Sequence, residues 1–548
     1  MNTEFFGKTL SGPFTIPSGI VSTTGPIIDY IINHIPEIGV LTTKSIGLAP
    51  KAGYREPVLS QYAPGCFVNA VGLTNPGAEE SIKTLSSLNI PEDRFLLTSI
   101  FGANAKEFAQ VAEMLAPLSD GLELNLSCPH AKGYGMAIGQ DPDMVREIVA
   151  AVVAVTDLPV IAKLTPNTDN IGSIAEAAVE AGAAGLCAIN TVGPGYHTAH
   201  GKPVLSNELG GMSGKGVLAI GLKCIKQIRE AVDCPIIGCG GISSANDVRA
   251  FQQEGANIIG VGSALVGMTS AEMGDYFSAL SAELAHNAES GAAEQLVRYD
   301  IDMDFRPVTL VDNQRVTDDI SILTFDRKVN IQGGEFLFLW IPGLGEKPFS
   351  ALTDDPFSLV VINLGEFTAK LMTLEPGTQA YVRGPHGIPA SHPSDAPLIT
   401  VSGGTGLAAV YQVARDHVAD GPDGSATMFV GARTAERLYF QDECRSFSEL
   451  HIATDDGSAG YHGLVTELLR EHLQTLTTDE LNKAVFYNCG PEPMVHAAKA
   501  VQEEFCSNEQ IFSAIDYHTK CGVGICGACG TPDGRRLCVD GPFISDVI

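Results

Sequence analysis

Four cysteines near the carboxyl terminus, Cys521, Cys526, Cys529 and Cys538, follow the spacing C-x4-C-x2-C-x8-C, with Gly522, Gly524 and Gly527 set among them. Thiolates that reach two irons from one compact loop need glycine's backbone freedom and N–H groups facing the bridging sulfides, so this run has the chemistry of a 2Fe-2S site. Its first three spacings match the plant-type loop. Structural zinc is the rival, because four cysteines also build a tetrahedral centre, although zinc ribbons use two separated C-x2-C knuckles where this run has one. Asp533-Gly534 is expected to turn a hairpin that returns Cys538 to the other three.

A second set of chemically capable side chains lies in the first half. Lys44, the string Asn125-Leu126-Ser127-Cys128-Pro129-His130, Lys163 and Asn190-Thr191 each close a short apolar run. One buried Lys or Asn at a strand end can be a satisfied structural residue. Several converging from different strands suit catalysis. Two further turns, Cys239-Gly240-Gly241-Ile242 and Gly262-Ser263, precede helical patterns. Glycine admits a close approach and exposed N–H groups at a helix start attract an anion, so both turns suit a phosphate.

The elements that must hold these residues follow from periodicity. Up to about residue 265, apolar runs alternate with amphipathic stretches, the pattern of repeated βα units. Eight strands are expected, at 14–17, 40–44, 95–100, 122–126, 160–164, 186–190, 236–240 and 258–261. Eight in this length fit a (β/α)8 barrel, with its active site at the carboxyl ends and its phosphate site after the last two strands. A helical stretch at 272–294 then gives way to β-rich segments at 308–311, 320–325 and 335–340, which puts a domain joint at 290–300. A strand running into Ser402-Gly403-Gly404-Thr405-Gly406 and a helix at 407–417 reads as a nucleotide-binding turn, and the strand, turn and helix around Tyr487-Asn488-Cys489-Gly490-Pro491-Glu492-Pro493-Met494 support it.

Composition excludes other roles. The chain has 548 residues, too many for one core, and its 64 acidic against 34 basic side chains give a charge of -30 that repels nucleic acid and anionic membranes. The start lacks a basic segment followed by an apolar one, and the most apolar run, 148–155, is too short for a bilayer, so a cytoplasmic protein without membrane association is expected. Thirteen cysteines, an odd number with four crowded at the end, speak for a metal site rather than a disulfide framework.

Over nearly its whole length the chain resembles the NAD-linked, iron-sulfur class of dihydroorotate dehydrogenases. The strings that carry the resemblance are Thr42-Thr43-Lys44-Ser45, Asn69-Ala70-Val71-Gly72-Leu73-Thr74-Asn75-Pro76-Gly77, Glu123-Leu124-Asn125-Leu126-Ser127-Cys128-Pro129, Ala162-Lys163-Leu164, Ile189-Asn190-Thr191, Gly210-Gly211-Met212-Ser213-Gly214 and Gly240-Gly241-Ile242. The resemblance implies an α/β protein with catalytic and electron-transfer subunits fused. An FMN-binding TIM barrel would span 1–292. A ferredoxin-reductase-like module would follow, with an FAD-binding β-barrel domain at 300–393, an NAD-binding α/β domain at 394–508 and a 2Fe-2S domain at 509–548. Contact between barrels in a homodimer or higher homo-oligomer is implied too.

Carried over by position, the resemblance makes Cys128 the base that takes the C5 proton of dihydroorotate while C6 gives hydride to the flavin. A thiol suits this, because a nearby cation lowers its pKa from about 8.5 toward neutrality. Lys44, Asn69, Gly72, Leu73, Asn125, His130, Asn190 and Thr191 would hold substrate. Ser18, Lys44, Ser45, Asn125, Lys163, Ser213, Gly214, Gly240, Gly241, Gly262 and Ser263 would hold FMN. Lys347-Pro348-Phe349-Ser350, with Gly365, Phe367 and Thr368, would hold FAD, and Gly403, Gly404, Gly406, Gly490, Pro491 and Glu492 would hold NAD.

Two positions depart from the pattern. Lys347 stands where the flavin-contacting R-x-Y-S motif has arginine, which removes a bidentate fork. His130 stands where the best-known members carry a substrate-binding asparagine. The Asn-Leu-Ser-Cys-Pro-His string, with Gly139-Gln140-Asp141-Pro142 and Lys163-Leu164-Thr165-Pro166-Asn167, also resembles the pyrimidine-reducing barrel of dihydropyrimidine dehydrogenase, the alternative reading. A non-enzymatic electron carrier or redox sensor accounts for the last domain alone.

Overall fold

Side chains alternate across a strand, so every second residue of a barrel strand faces the interior. In the strand Phe95–Ile100 the inward set runs Phe95, Leu97, Ser99, and in Val160–Lys163 it runs Ile161, Lys163. The interior therefore changes from apolar to polar toward the carboxyl ends. The computed structural model describes residues 3–126, 136–286, 290–420, 425–515 and 518–545. It divides into two units, Met1–Ile301 with Val523–Arg536, and Asp302–Gly522 with Leu537–Ile548.

In the first unit all eight expected strands form. Phe14–Thr15, Ile38–Thr42, Phe95–Ile100, Gly121–Asn125, Val160–Lys163, Gly185–Ala188, Ile236–Cys239 and Ile258–Gly260 close a parallel barrel, the last pairing with the first through Ile259 and Phe14. The intervening helices start at polar caps. Asn104, Asp141, Asn170, Ser244 and Thr269 each accept an amide of the first helical turn, which satisfies N–H groups that the helix leaves unpaired. The amino end of the barrel is plugged by the hairpin Thr3–Phe5 and Lys8–Leu10, whose Phe5 and Phe6 rings lie 5.2 and 6.0 Å from Phe95.

Excursions after the second and sixth barrel strands build a four-stranded antiparallel sheet, Val192–Tyr196, Leu209–Gly214, Cys66–Asn69 and Leu59–Ala63 in that order. Both excursions leave from carboxyl ends. The unit's last residues are tied back at Tyr299. Its carbonyl accepts from the Gly65 amide at 2.5 Å and from Gln61 at 2.6 Å, and its hydroxyl meets Ser243 and Glu294 at 2.9 and 2.8 Å.

The second unit contains two sheets. Seven antiparallel strands run in the order Gly345–Phe349, Phe336–Ile341, Gln379–His386, Arg306–Thr317, Ile320–Phe325, Phe357–Ile362, Ala351–Asp354. The two edge strands are consecutive in the chain with only Ser350 between them, so the sheet curls until its edges meet. Its inner face packs Leu310, Leu323, Phe325, Leu337, Leu339, Phe357, Leu359 and Val382.

The other sheet orders Tyr461–His462, Glu449–Thr454, Ala426–Ala432, Leu398–Gly403, Val485–Cys489, Ile511–Ala514 and Ile544–Ser545, all parallel but the last. Ile511–Ala514, in the stretch expected to belong to the cluster domain, thus extends this sheet by pairing in parallel register with Phe486–Cys489. No helix among the described residues is long and apolar enough to cross a membrane.

Candidate active site

Strand register brings the polar residues of the barrel together. Ser99 stands opposite Glu123, Asn125 opposite Lys163, and Lys163 opposite Cys187. Their side chains join in one network. Ser18 bonds Ser45 at 2.9 Å, Ser45 bonds Ser99 at 3.0 Å, Ser99 donates to Glu123 Oε1 at 2.9 Å, and Lys163 Nζ reaches the same oxygen at 3.5 Å. A second arm leaves Ser45. Asn125 donates to its hydroxyl at 2.9 Å, Asn190 donates to Asn125 at 3.3 Å, and the Thr191 amide donates to Asn190 at 2.8 Å. Thr191 in turn lies against Gly211, whose carbonyl accepts from Asn69 at 3.2 Å.

The floor of this network is charged and buried. The Lys163 and Glu123 side chains are 5% and 1% exposed. Burial works against the Lys163 charge, but Glu123 with the nearby sulfurs of Cys187 and Cys239 outweighs it, leaving the ammonium pKa above its ordinary value. Cys187 lies 4.0 Å from Cys239, and that hydrogen bond, with burial, pushes the Cys187 thiol well above its usual range. A fixed cation held this way stabilises negative charge placed above it.

Seven of the predicted site residues thus gather at one end of the barrel: Ser18, Ser45, Asn69, Asn125, Lys163, Asn190 and Thr191. Lys44 follows the second strand between Thr43 and Ser45, half-buried. Gly72 and Leu73 sit beyond Asn69 with φ of 81° and 58°, in the left-handed region. Ser127, Cys128, Pro129 and His130 lie outside the described residues.

Of the expected phosphate turns, the one at Gly241 packs against the backbone of Gly214 and the one at Gly262 is open. A Cβ on Gly241 would lie 2.6 Å from the Gly214 carbonyl and 3.0 Å from the Leu218 amide, so the turns at 214 and 241 meet backbone to backbone. Around Gly262 the nearest atom to such a Cβ is 3.7 Å away, and Ser263 opens the helical turn Ser263–Leu265. Close-packed turns beside an open one have the form of a phosphate cradle.

In the second unit Lys347, Pro348 and Phe349 lie on the edge strand Gly345–Phe349, and Ser350 is the corner where the curled sheet's edges meet. The helix Glu366–Leu371 packs beside this strand. Thr368 Oγ1 caps its start, accepting from the Leu364 and Gly365 amides at 2.9 and 3.2 Å.

The order in which strands are added to the parallel sheet reverses between Leu398–Gly403 and Val485–Cys489, the switch point where such sheets bind nucleotides. Its two glycine turns touch there. A Cβ on Gly406 would stand 2.1 Å from the Cys489 carbonyl, and one on Gly490 2.9 Å from the Gly403 amide, whereas Gly404, at φ 55°, faces open space. Pro491 and Glu492 open the helix behind.

Cys526 and Cys529 belong to the segment Val523–Arg536 of the first unit, and Cys521 and Cys538 to the second. All four are buried, at 8, 1, 2 and 1% exposure in that order. Among the described residues no three His, Cys, Asp or Glu side chains form a metal-holding group. The cysteines' chemistry still fits thiolate ligation, for Gly522, Gly524 and Gly527 are left-handed at φ 79°, 73° and 66°, as a tight cysteine loop requires. Asp533-Gly534 does turn the chain back, with the Gly534 amide bonded to Thr531 and a bridge from Gly530 to Arg536.

Comparison with known proteins matches residues 1–275 to the dihydroorotate dehydrogenase family and residues 400–500 to the oxidoreductase NAD-binding domain. The catalytic subunit of dihydroorotate dehydrogenase B (NAD(+)) from Methanocaldococcus jannaschii is 41% identical over 267 residues, covering 48% of this chain and 86% of that subunit. The corresponding subunit of Pyrococcus furiosus is 43% identical over 265 residues, with coverage of 48% and 86%. The chain belongs to the dihydroorotate dehydrogenase family.

As a dihydroorotate dehydrogenase family member it is a flavin-dependent oxidoreductase that carries an NAD-binding oxidoreductase domain in the same polypeptide. Residues of this site not foreseen as functional are Ser99 and Glu123. The signal for Glu123 was a lone acid inside the apolar run of the fourth strand, in phase with Asn125. Ser99 has the same phase relative to Phe95 and Leu97. Asn167, at the end of the Lys163-Leu164-Thr165-Pro166-Asn167 string, donates to the Thr191 carbonyl at 3.0 Å and accepts from the Gly193 amide at 2.8 Å, fixing the loop after the sixth strand.

Proposed function

We propose that this chain oxidises dihydroorotate to orotate in pyrimidine biosynthesis and delivers the electrons to NAD+. The observation that carries the reading is the continuous line of amides and hydroxyls from Asn69 to Ser18 above the buried Lys163–Glu123 pair, at the carboxyl face of a dihydroorotate dehydrogenase family barrel. When bound, FMN accepts hydride from C6 of the substrate, and a 2Fe-2S cluster and FAD carry electrons onward to NAD+.

The chain's own residues do the rest. Asn69, Asn125, Asn190 and Thr191 present amide and hydroxyl groups that match the ring carbonyls and ring N–H groups of a dihydropyrimidine, with Lys44 and the backbone of Gly72 and Leu73 completing the cradle. His130 donates to the substrate carboxylate. Cys128 takes the C5 proton as general base. Lys163, kept charged by Glu123, holds negative charge at the flavin ring. The turns at Gly214, Gly240, Gly241, Gly262 and Ser263, with Ser18, Ser45 and Ser213, hold FMN.

Lys347 to Ser350 with Gly365, Phe367 and Thr368 hold FAD. The switch-point turns hold NAD, and Cys521, Cys526, Cys529 and Cys538 ligate the cluster. We assign the functional regions to 1–292, 300–393, 394–508 and 509–548. We place the protein in the cytoplasm, acting on small molecules, on its acidic composition and cysteine usage, and as a homo-oligomer on its resemblance to the family.

Anaerobic titration of the purified protein with dihydroorotate, dihydrouracil and NADH, each alone, tests the reading. Flavin bleaching by dihydroorotate and by NADH is expected. Bleaching by dihydrouracil but not dihydroorotate transfers the assignment to a dihydropyrimidine dehydrogenase, and no bleaching by either pyrimidine leaves only an electron carrier. Extraction should return one FMN and one FAD per chain, with two irons and two acid-labile sulfides.

A further inference from the structure

Arg383 is among the most deeply buried charged residues of the second unit, with a side chain 0% exposed, and its partner Glu346 is 1% exposed. The two form a fork. Arg383 Nη2 donates to Glu346 Oε1 at 2.7 Å and Nε donates to Oε2 at 3.3 Å. That uses one edge of the guanidinium. The remaining nitrogen, Nη1, donates to the carbonyl of Cys521 at 3.0 Å and meets His386 Nε2 at 3.2 Å. The plane of the group lies over Phe338, 4.2 Å from its centroid.

A buried ion pair is a poor stability device, because desolvating both charges costs about as much as their attraction returns. Its position points to another use. Glu346 directly precedes Lys347 on the strand expected to contact FAD, Arg383 lies two strands away, and the carbonyl it holds belongs to the first cysteine of the cluster loop. That peptide has little freedom: a Cβ on Gly522 would stand 2.7 Å from Phe338 Cε2 and 3.2 Å from His386. Lysine has no planar fork, so it cannot hold a carboxylate by two bonds while donating to a carbonyl on its far edge.

We propose that Arg383 is a positioning residue for the iron-sulfur cluster, fixing the Cys521–Gly522 peptide and placing a positive charge next to the first ligand. This rests on the 2Fe-2S reading of the four cysteines. The arginine end of the pair is the one that touches Cys521, with Glu346 behind it, so the local field at the ligand is positive and favours the cluster's added electron. The cluster's reduction potential is therefore set partly by this pair.

The test uses the full chain and two variants, with iron and sulfide content, the electron paramagnetic resonance spectrum and the midpoint potential as readouts. Arg383→Met combined with Glu346→Met removes both charges and keeps apolar volume. It should retain FMN and FAD, show an altered spectrum, and titrate at a more negative potential than the parent. Arg383→Lys keeps the charge without the fork. It should lose iron faster to a chelator and show a changed spectrum. A double variant with the parental spectrum and potential overturns the role of Arg383. If the double variant does not fold, Arg383→Lys decides alone, and parental spectrum, potential and iron release in it overturn the role equally. Zinc without acid-labile sulfide in the parent removes the cluster reading itself, a result separable from either variant outcome.

Discussion

Replacing Glu123 with Gln isolates the charge beneath the barrel site. The amide has the shape of the carboxyl and still accepts from Ser99, so only the negative charge is lost. Lys163 then remains 5% exposed with its carboxylate partner gone. Breaking a buried pair on one side costs about 3–5 kcal/mol, and the 3.5 Å separation here argues for the lower end, about 3 kcal/mol. For a unit of this size, about 2 °C per kcal/mol translates that into a fall of roughly 6 °C in the barrel's melting transition at pH 7.

The pH dependence supplies the sharper test. In the parent the folded pKa of Lys163 lies above its ordinary value, so its contribution is fully present below the unfolded pKa, about 10.4, and is lost only as pH rises through the folded one. In Glu123→Gln burial acts without the compensating carboxylate and lowers the folded pKa. The variant's penalty is then largest at neutral pH and shrinks as pH rises toward 10. Calorimetry of both full-length proteins at pH 7.0 and 9.5 reads this as a deficit that narrows with pH. A variant melting within about 1 °C of the parent at pH 7, or a deficit that widens with pH, refutes a charged Lys163 sustained by Glu123.

Cys128→Ala should slow flavin bleaching by dihydroorotate at least about 100-fold at neutral pH while leaving reduction by NADH unchanged, as stopped-flow absorbance can read. Gly406→Ala should do the reverse. Its Cβ meets the Cys489 carbonyl at 2.1 Å and the Gly490 amide at 2.6 Å, backbone that cannot yield, so the NADH half-reaction fails and bleaching by dihydroorotate persists. His130→Asn should keep dihydroorotate turnover, and orotate affinity measured from about pH 5.5 to 8.5 should lose any imidazole-dependent slope. Burial, then the adjacent His417, depresses the His392 pKa to about 4, so the second unit loses stability as pH falls from about 6.5 toward 4, and His392→Gln should blunt that loss in acid melts.

The barrel was legible because each of its strands is a local object: an apolar run with a polar end, recurring at helix-length intervals. The four-stranded sheet above it was not. Val192–Tyr196 reads Val-Gly-Pro-Gly-Tyr and Leu59–Ala63 ends in exposed Tyr62 and Ala63, so neither shows period-two burial. Leu59–Ala63 pairs with Cys66–Asn69 and Val192–Tyr196 with Leu209–Gly214, and the sheet that holds both hairpins is closed by pairing of Cys66–Asn69 with Leu209–Gly214, segments more than a hundred residues apart. The same limit hid the placement of Ile511–Ala514, whose sheet membership depends on Phe486–Cys489.

The candidate site divides on the same principle. Lys163, Asn125 and Asn190 announce themselves because a polar residue closing a buried strand is locally anomalous. Glu123 was visible in phase but had no evident purpose until the register set it beside Lys163 and Ser99. Arg383 gave no local sign at all. It precedes a Gly-Pro turn where an exposed arginine is ordinary, and the carboxylate and carbonyl that explain it lie 37 and 138 residues away. A buried charge can be recognised only with its partner, and that partner is chosen by the sheet: Phe338 pairs with Arg383 in one ladder and Trp340 with Glu346 in the next, which sets the two charges on neighbouring rungs of one buried face.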